Sequence, residues 1–143
     1  MAIYQTACTV FKDNILKGLE NFNTGTPYTY KIALYTANAI LNADTLVYTS
    51  SNEVVGTGYT AGGKTLVISQ TPTNQTGSTT AYISFANAVW NPASFTARGA
   101  LIYNSTTGAA ICVLDFGADK TASSTFTVTF PTATSTTAII RII

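Results

Sequence analysis

Histidine is absent from the 143 residues of this chain, and charge is scarce: only 9% of residues are Asp, Glu, Lys or Arg. Without imidazole there is no ordinary Ser-His-Asp or Cys-His centre, and the common zinc ligand sets lose their usual nitrogen donor. Seven basic and six acidic residues are scattered singly for a net charge of +1. No basic stripe is therefore available to neutralise phosphates or anionic lipid, so neither nucleic acid nor a membrane surface is an expected partner. Two cysteines, Cys8 and Cys112, are too few for a disulfide framework and read as small buried hydrophobes. No stretch approaches the roughly 18 apolar residues of a membrane span. The opening MAIYQTACTVFKDN lacks the basic start and apolar run of a secretory leader, so none is expected.

What the chain has instead is β-pattern. Hydrophobic residues make up 46% of it, and Thr supplies about one residue in five, a β-branched side chain suited to the wet face of a strand. TYKIALYT, TLVIS, TTAYISFA, RGALIYN, AAICVLDFG, TFTVTF and TAIIRII read as strands, with gaps filled by Thr, Ser, Asn and Gly. In TFTVTF, Phe126, Val128 and Phe130 alternate with threonines, giving one core face and one wet face. STTG between RGALIYN and AAICVLDFG reads as a hairpin connection. NAVWNPASF turns a corner at Pro92. The apolar TAIIRII fits either a central strand buried on both faces or a strand completed by a neighbouring subunit.

TACTVFKDNILKGLENF differs, since Cys8, Phe11, Ile15, Leu19 and Phe22 recur at helical spacing. An amphipathic helix is expected over about 6–22, with Thr6 or Thr9 as its cap and a break at Gly25 and Pro27. The expected fold is all-β: a single-domain β-sandwich over 1–143, of jelly-roll type, with this one N-terminal helix.

Two patterns invite chemistry. Gly58, Gly63, Lys64 and Thr65 match the phosphate-loop text G-x-x-x-x-G-K-[ST], and Asp115 ends an apolar run as a magnesium-holding acid would. That motif needs a helix after the loop, to aim backbone N–H groups at phosphate. LVISQTP follows here, a strand ended by a proline, so the motif is set aside. NEVVGTGYTAGG reads instead as a long loop or bulged edge whose glycines take positive φ. Asp115 and Asp119 could flank a calcium ion, but such a pair more often solvates a turn. Asn74 and Asn104 sit in glycan-acceptor triplets read as plain polar loops. No catalytic, cofactor or metal residue is assigned, and the chain is not expected to be an enzyme.

KIALYT, GTGYTAGGKTL, ARGALIYN, LDFG and the apolar terminal strand together resemble a group of small virion proteins of tailed bacteriophages, from about Lys31 onward. GTGYTAGGKTL ahead of ARGALIYN is the most distinctive part. The resemblance implies a capsid cement or decoration protein on the virion surface, joined to the major capsid protein and to itself as a homodimer or homotrimer. The N-terminal helix, the loop from Gly56 to Gly63 and the chain's last strand are the expected contacts, through Phe11, Ile15, Tyr59, Ile142 and Ile143. The alternative is a tail or fibre module that attaches to a host receptor or glycan, with Tyr48, Tyr59 and Tyr103 as stacking platforms.

Overall fold

The hairpin expected around STTG is the backbone of the molecule. In the computed structural model, which describes residues 2–143, β7 (Phe95–Asn104) and β8 (Ala110–Ala122) pair antiparallel. Gly108, at φ +85°, lies in the turn that joins them. These strands centre a five-stranded sheet of order β1–β8–β7–β2–β3, with β1 at Thr6–Ala7, β2 at Tyr30–Tyr35 and β3 at Lys64–Thr65. The solid apolar runs KIALY, GALIYN and AICVL become its middle because both of their faces are covered: Ile32, Ala33, Leu34, Tyr35, Leu101, Ile102, Ile111 and Val113 have no exposed surface. β8 continues past LDFG into the polar ADKTA because Phe95, Thr96 and Ala97 of β7 give it ladder partners there.

Between Ala97 and Gly99 the register shifts, and Gly99 has a packing reason to lack a side chain. A Cβ at Gly99 would lie 2.6 Å from the Leu114 carbonyl oxygen and 2.9 Å from Ile3. The N-terminal segment thus seats Ile3 against bare backbone of the central hairpin.

Two smaller antiparallel sheets share the core. One is β10 (Ile140–Ile142), β5 (Ala81–Phe85) and β4 (Ile68–Asn74); the other pairs β6 (Ala88–Trp90) with β9 (Phe126–Val128). The expected strand TLVIS is divided between sheets. Leu66 N–H donates to the Tyr30 carbonyl, while the Val67 carbonyl accepts from Ala86 N–H, so the chain leaves one sheet for another within two residues. Pro72 lies inside β4 and does not end it, which is tolerated because β4 is an edge strand whose register shifts between Gln70 and Thr73.

The helix is shorter than its apolar spacing predicts. α1 covers Thr9–Leu16, Thr6 belongs to β1, and Cys8 stands at the N-cap with no side-chain cap. Gly18, at φ +70°, ends the helical path, and Leu19 is exposed. Phe22 still reaches the core from the loop, stacked on Tyr30 at 4.5 Å and edge-on to Phe11 at 5.9 Å. The terminal apolar run is likewise no central strand. Among the described residues β10 pairs with β5 alone, and past buried Ile140 the residues Arg141, Ile142 and Ile143 are exposed.

The TFTVTF alternation appears as expected. Phe126, Val128 and Phe130 are buried and Thr127 and Thr129 exposed. Phe130 packs 5.8 Å from Phe85, and its N–H donates to Asn87 Oδ1. Phe130→Ser should therefore destabilise the fold by about 3 kcal/mol, from lost burial and a residual cavity. An unaltered urea midpoint would show that this ring is not part of the core.

Candidate interaction surface

The Gly-rich segment carrying the phosphate-loop text is a folded strap along the β2 edge of the large sheet, paired with β2 at Glu53 and again at Lys64. It is pinned by Glu53, which is buried at 7% exposure. Glu53 Oε1 accepts from the Tyr59 hydroxyl at 2.6 Å and from Gly62 N–H at 2.8 Å, and Oε2 accepts from the Tyr48 hydroxyl at 2.7 Å. The Tyr103 hydroxyl donates to the Gly62 carbonyl, and its ring stacks on Tyr48 at 4.7 Å. Leu34 N–H donates to the Tyr59 hydroxyl, tying the strap to β2. Three of the four glycines, Gly58, Gly62 and Gly63, have positive φ as expected. Gly56 does not, but a Cβ there would meet the Ser94 carbonyl oxygen at 2.6 Å.

Nothing in this arrangement cradles phosphate. Lys64 and Thr65 form β3, and Lys64 Nζ lies 5.7 Å from the Trp90 ring centre, a cation–π distance. Asp115 pairs with Arg98 at 3.3 Å and accepts from Gly117 N–H, so it serves a surface turn. Among the described residues, no group of three or more Cys, Asp or Glu side chains is placed to hold a metal ion. No helix among them is long and apolar enough to cross a membrane.

Several polar groups that look like loop decoration in the sequence are structural. Asn104 is wholly buried at the end of β7; its Oδ1 accepts from Thr106 and Thr107 N–H and its amide donates to Glu20. Burial raises the Glu20 carboxyl above its usual range, while hydrogen bonds from Tyr30 and Asn104 oppose that shift. The cysteines are free and buried, and burial pushes Cys8 up to about 11 and Cys112 up to about 12. Both thiols are thus held in the inert protonated form.

Burial also raises the phenols of Tyr30, Tyr35 and Tyr59 well above 10.0, with the Glu53 hydrogen bond adding to the effect at Tyr59. The fold keeps these groups protonated, whereas the unfolded chain releases their protons above about pH 10. Stability should accordingly be insensitive to these tyrosines at neutral pH. It should then fall by up to about 1.4 kcal/mol per tyrosine per pH unit above pH 10. Urea titrations between pH 8 and 11 check this, and a midpoint constant through pH 11 would refute it.

The open apolar surface lies elsewhere, where α1, β1, β8 and the terminal strand β10 surround a groove of about 670 Å³. Its walls include Phe11 and Ile15 of α1, Cys112 and Leu114 of β8, and Ile140 and Ile142 of β10. The geometry divides the five residues expected to make contacts. Phe11 is only 3% exposed and belongs to the core, and Tyr59 packs against Trp90 and Phe95 with its hydroxyl on Glu53. Ile15 is half-buried in the groove wall, while Ile142 and Ile143 are 52% and 83% exposed. Leu16, 88% exposed on the same rim, was not singled out by its spacing, which lies one position off the helical stripe. The structure therefore brings the helix and the last strand together at one surface, and the Gly-rich strap forms no part of it.

This is an antiparallel, mostly β protein with one short helix and an unpaired apolar edge beside that helix. Comparison of the chain with protein-family models, with curated proteins and with solved structures returns no match in any of the three.

Proposed function

We propose that this chain is a non-enzymatic structural protein of a tailed-phage particle, a jelly-roll-type β-sandwich that binds and stabilises the capsid shell as cement or decoration. It acts on the capsid surface, against the major capsid protein and further copies of itself. The observation that carries this reading is the free edge of β10, where exposed Ile142 and Ile143 continue an apolar groove into solvent. Exposed apolar surface beside an unpaired strand is a liability that natural proteins ordinarily cover with charge or a partner. The likeness of GTGYTAGGKTL and ARGALIYN to phage virion proteins supports it from the sequence side.

A tail or fibre module reading glycans through Tyr48, Tyr59 and Tyr103 is less favoured, because Tyr48 and Tyr103 stack on each other and Tyr59 packs against Trp90 and Phe95. The deciding test is the copy number of this chain in purified particles, by quantitative mass spectrometry against the major shell protein. Comparable stoichiometry supports cement, a few copies per particle support a tail position, and absence removes the virion reading. Deleting Ile142 and Ile143 should weaken binding to shells without lowering the melting temperature appreciably. Undiminished binding would dismiss this strand as an interface.

A further inference from the structure

The groove beside β10 is lined by cationic but not by acidic side chains. Lys12 and Arg141 line it, and no Asp or Glu side chain does. Among the described residues the ion pairs are Lys17 with Asp13 and Arg98 with Asp115, so neither groove cation has a carboxylate partner. Arg141 Nη1 makes only a long hydrogen bond, 3.4 Å, to the Ser135 carbonyl. Among the described residues, β10 is hydrogen-bonded to β5 on one side and has no strand on the other. Three features thus coincide: an apolar trough, two unpaired cations and a strand edge with unpaired backbone groups.

We propose that this groove takes an extended peptide segment, apolar with acidic side chains, which adds to the free edge of β10 as a further strand and sets its carboxylates against Lys12 and Arg141. Strand addition draws affinity from main-chain hydrogen bonds and specificity from alternate side chains, and the two cations select an acidic sequence. A fatty acid would match the charge and the apolar walls but leave the β10 backbone unpaired. A second copy docked by two-fold symmetry would set the same cations against each other. Nucleic acid needs more positive charge than two side chains supply. The inference deepens the proposed function and rests on it for one point, that the segment belongs to the shell protein.

The test uses the full chain and two capped pentapeptides, one alternating valine with glutamate and one alternating valine with lysine. The glutamate peptide should bind saturably, the lysine peptide should not, and hydrogen exchange should slow at the amides of residues 140–143. The doubly reversed variant, Lys12→Glu with Arg141→Glu, changes only exposed side chains. It should bind the glutamate peptide about tenfold more weakly and gain binding of the lysine peptide. Equal binding of both peptides, unslowed exchange at β10, or displacement of the glutamate peptide by dodecanoate would overturn the proposal. So would a wild-type dimer that protects β10 by itself. Copy number in particles is a separate readout. Peptide failure in an abundant virion protein discards the groove and keeps the cement reading, and peptide binding by a chain absent from particles does the reverse.

Discussion

Gly63→Ala is expected to be the most damaging single-methyl change in this protein, costing on the order of 4 kcal/mol or more. Gly63 has φ +77°, and a Cβ built on it would stand 1.8 Å from the Ile32 carbonyl oxygen and 2.8 Å from Ala33 Cα. Those neighbours belong to β2, a strand inside the large sheet, so no flexible side chain can move aside to make room. Two penalties add, since the left-handed conformation disfavours any L side chain and the backbone of the sheet must shift. Gly77→Ala is the matched control. It shares the positive φ, at +82°, but nothing lies within 4 Å of its Cβ position, and it should cost only about 1 kcal/mol. Thermal melts should separate the two variants by roughly 10 °C for a chain of this size. Equal melting temperatures would mean that the strap does not approach β2 this closely. The same geometry explains the phosphate-loop text, in which Gly58 and Gly63 are required where one stretch of backbone lies close alongside another.

Glu53→Ala should cost about 2–3 kcal/mol, because it strips a buried carboxylate from three half-buried donors and leaves a gap under the strap. The Tyr48 and Tyr59 hydroxyls and Gly62 N–H all donate to it. Glu53→Gln should cost only about 1 kcal/mol. Its carbonyl oxygen can still take the Gly62 and Tyr59 donors, and its amide can donate to the Tyr48 hydroxyl, which accepts as readily as it donates. The expected order in urea midpoints is wild type above Gln above Ala. Indistinguishable Gln and Ala variants would show that the carboxylate fills space and organises no network.

The pieces legible in the sequence are those where one local rule governs. Phe126 and Val128 alternate with threonine because β9 has one buried and one exposed face, and STTG closes the central hairpin as its glycine suggests. Misreadings arise where one apolar run serves two purposes. Leu19 and Phe22 extend the helical spacing past Gly18, yet Phe22 meets the core from a loop, so spacing overstated the helix. TLVIS reads as one strand because nothing local marks the exchange of sheets between Leu66 and Val67. The Ile139–Ile143 run carries the composition of a central strand while standing at an edge, since composition registers apolarity and not whether a neighbour is present. The groove joins residues near opposite ends of the chain, Lys12 and Arg141, and no spacing rule relates them. Glu53 is a lone acid among small residues in the sequence, and its role emerges only when Tyr48, Tyr59 and Gly62 converge on it.

The seat of Ile3 against Gly99 and the pairing of Thr6 with Val113 have a consequence for how the molecule is made. The segment from Ile3 to Thr6 bridges to Leu41, but its seat at Gly99 and its ladder partner Val113 lie more than ninety residues later in the chain. Until β7 and β8 have closed, β1 has no ladder and Ile3 has no backbone of the central hairpin to pack on. Such long-range closure is the slow step of β-rich folding, since chain entropy must be lost before the distant contacts compensate. Docking of the N-terminal segment should therefore be a late event in refolding, following the central hairpin that accommodates it.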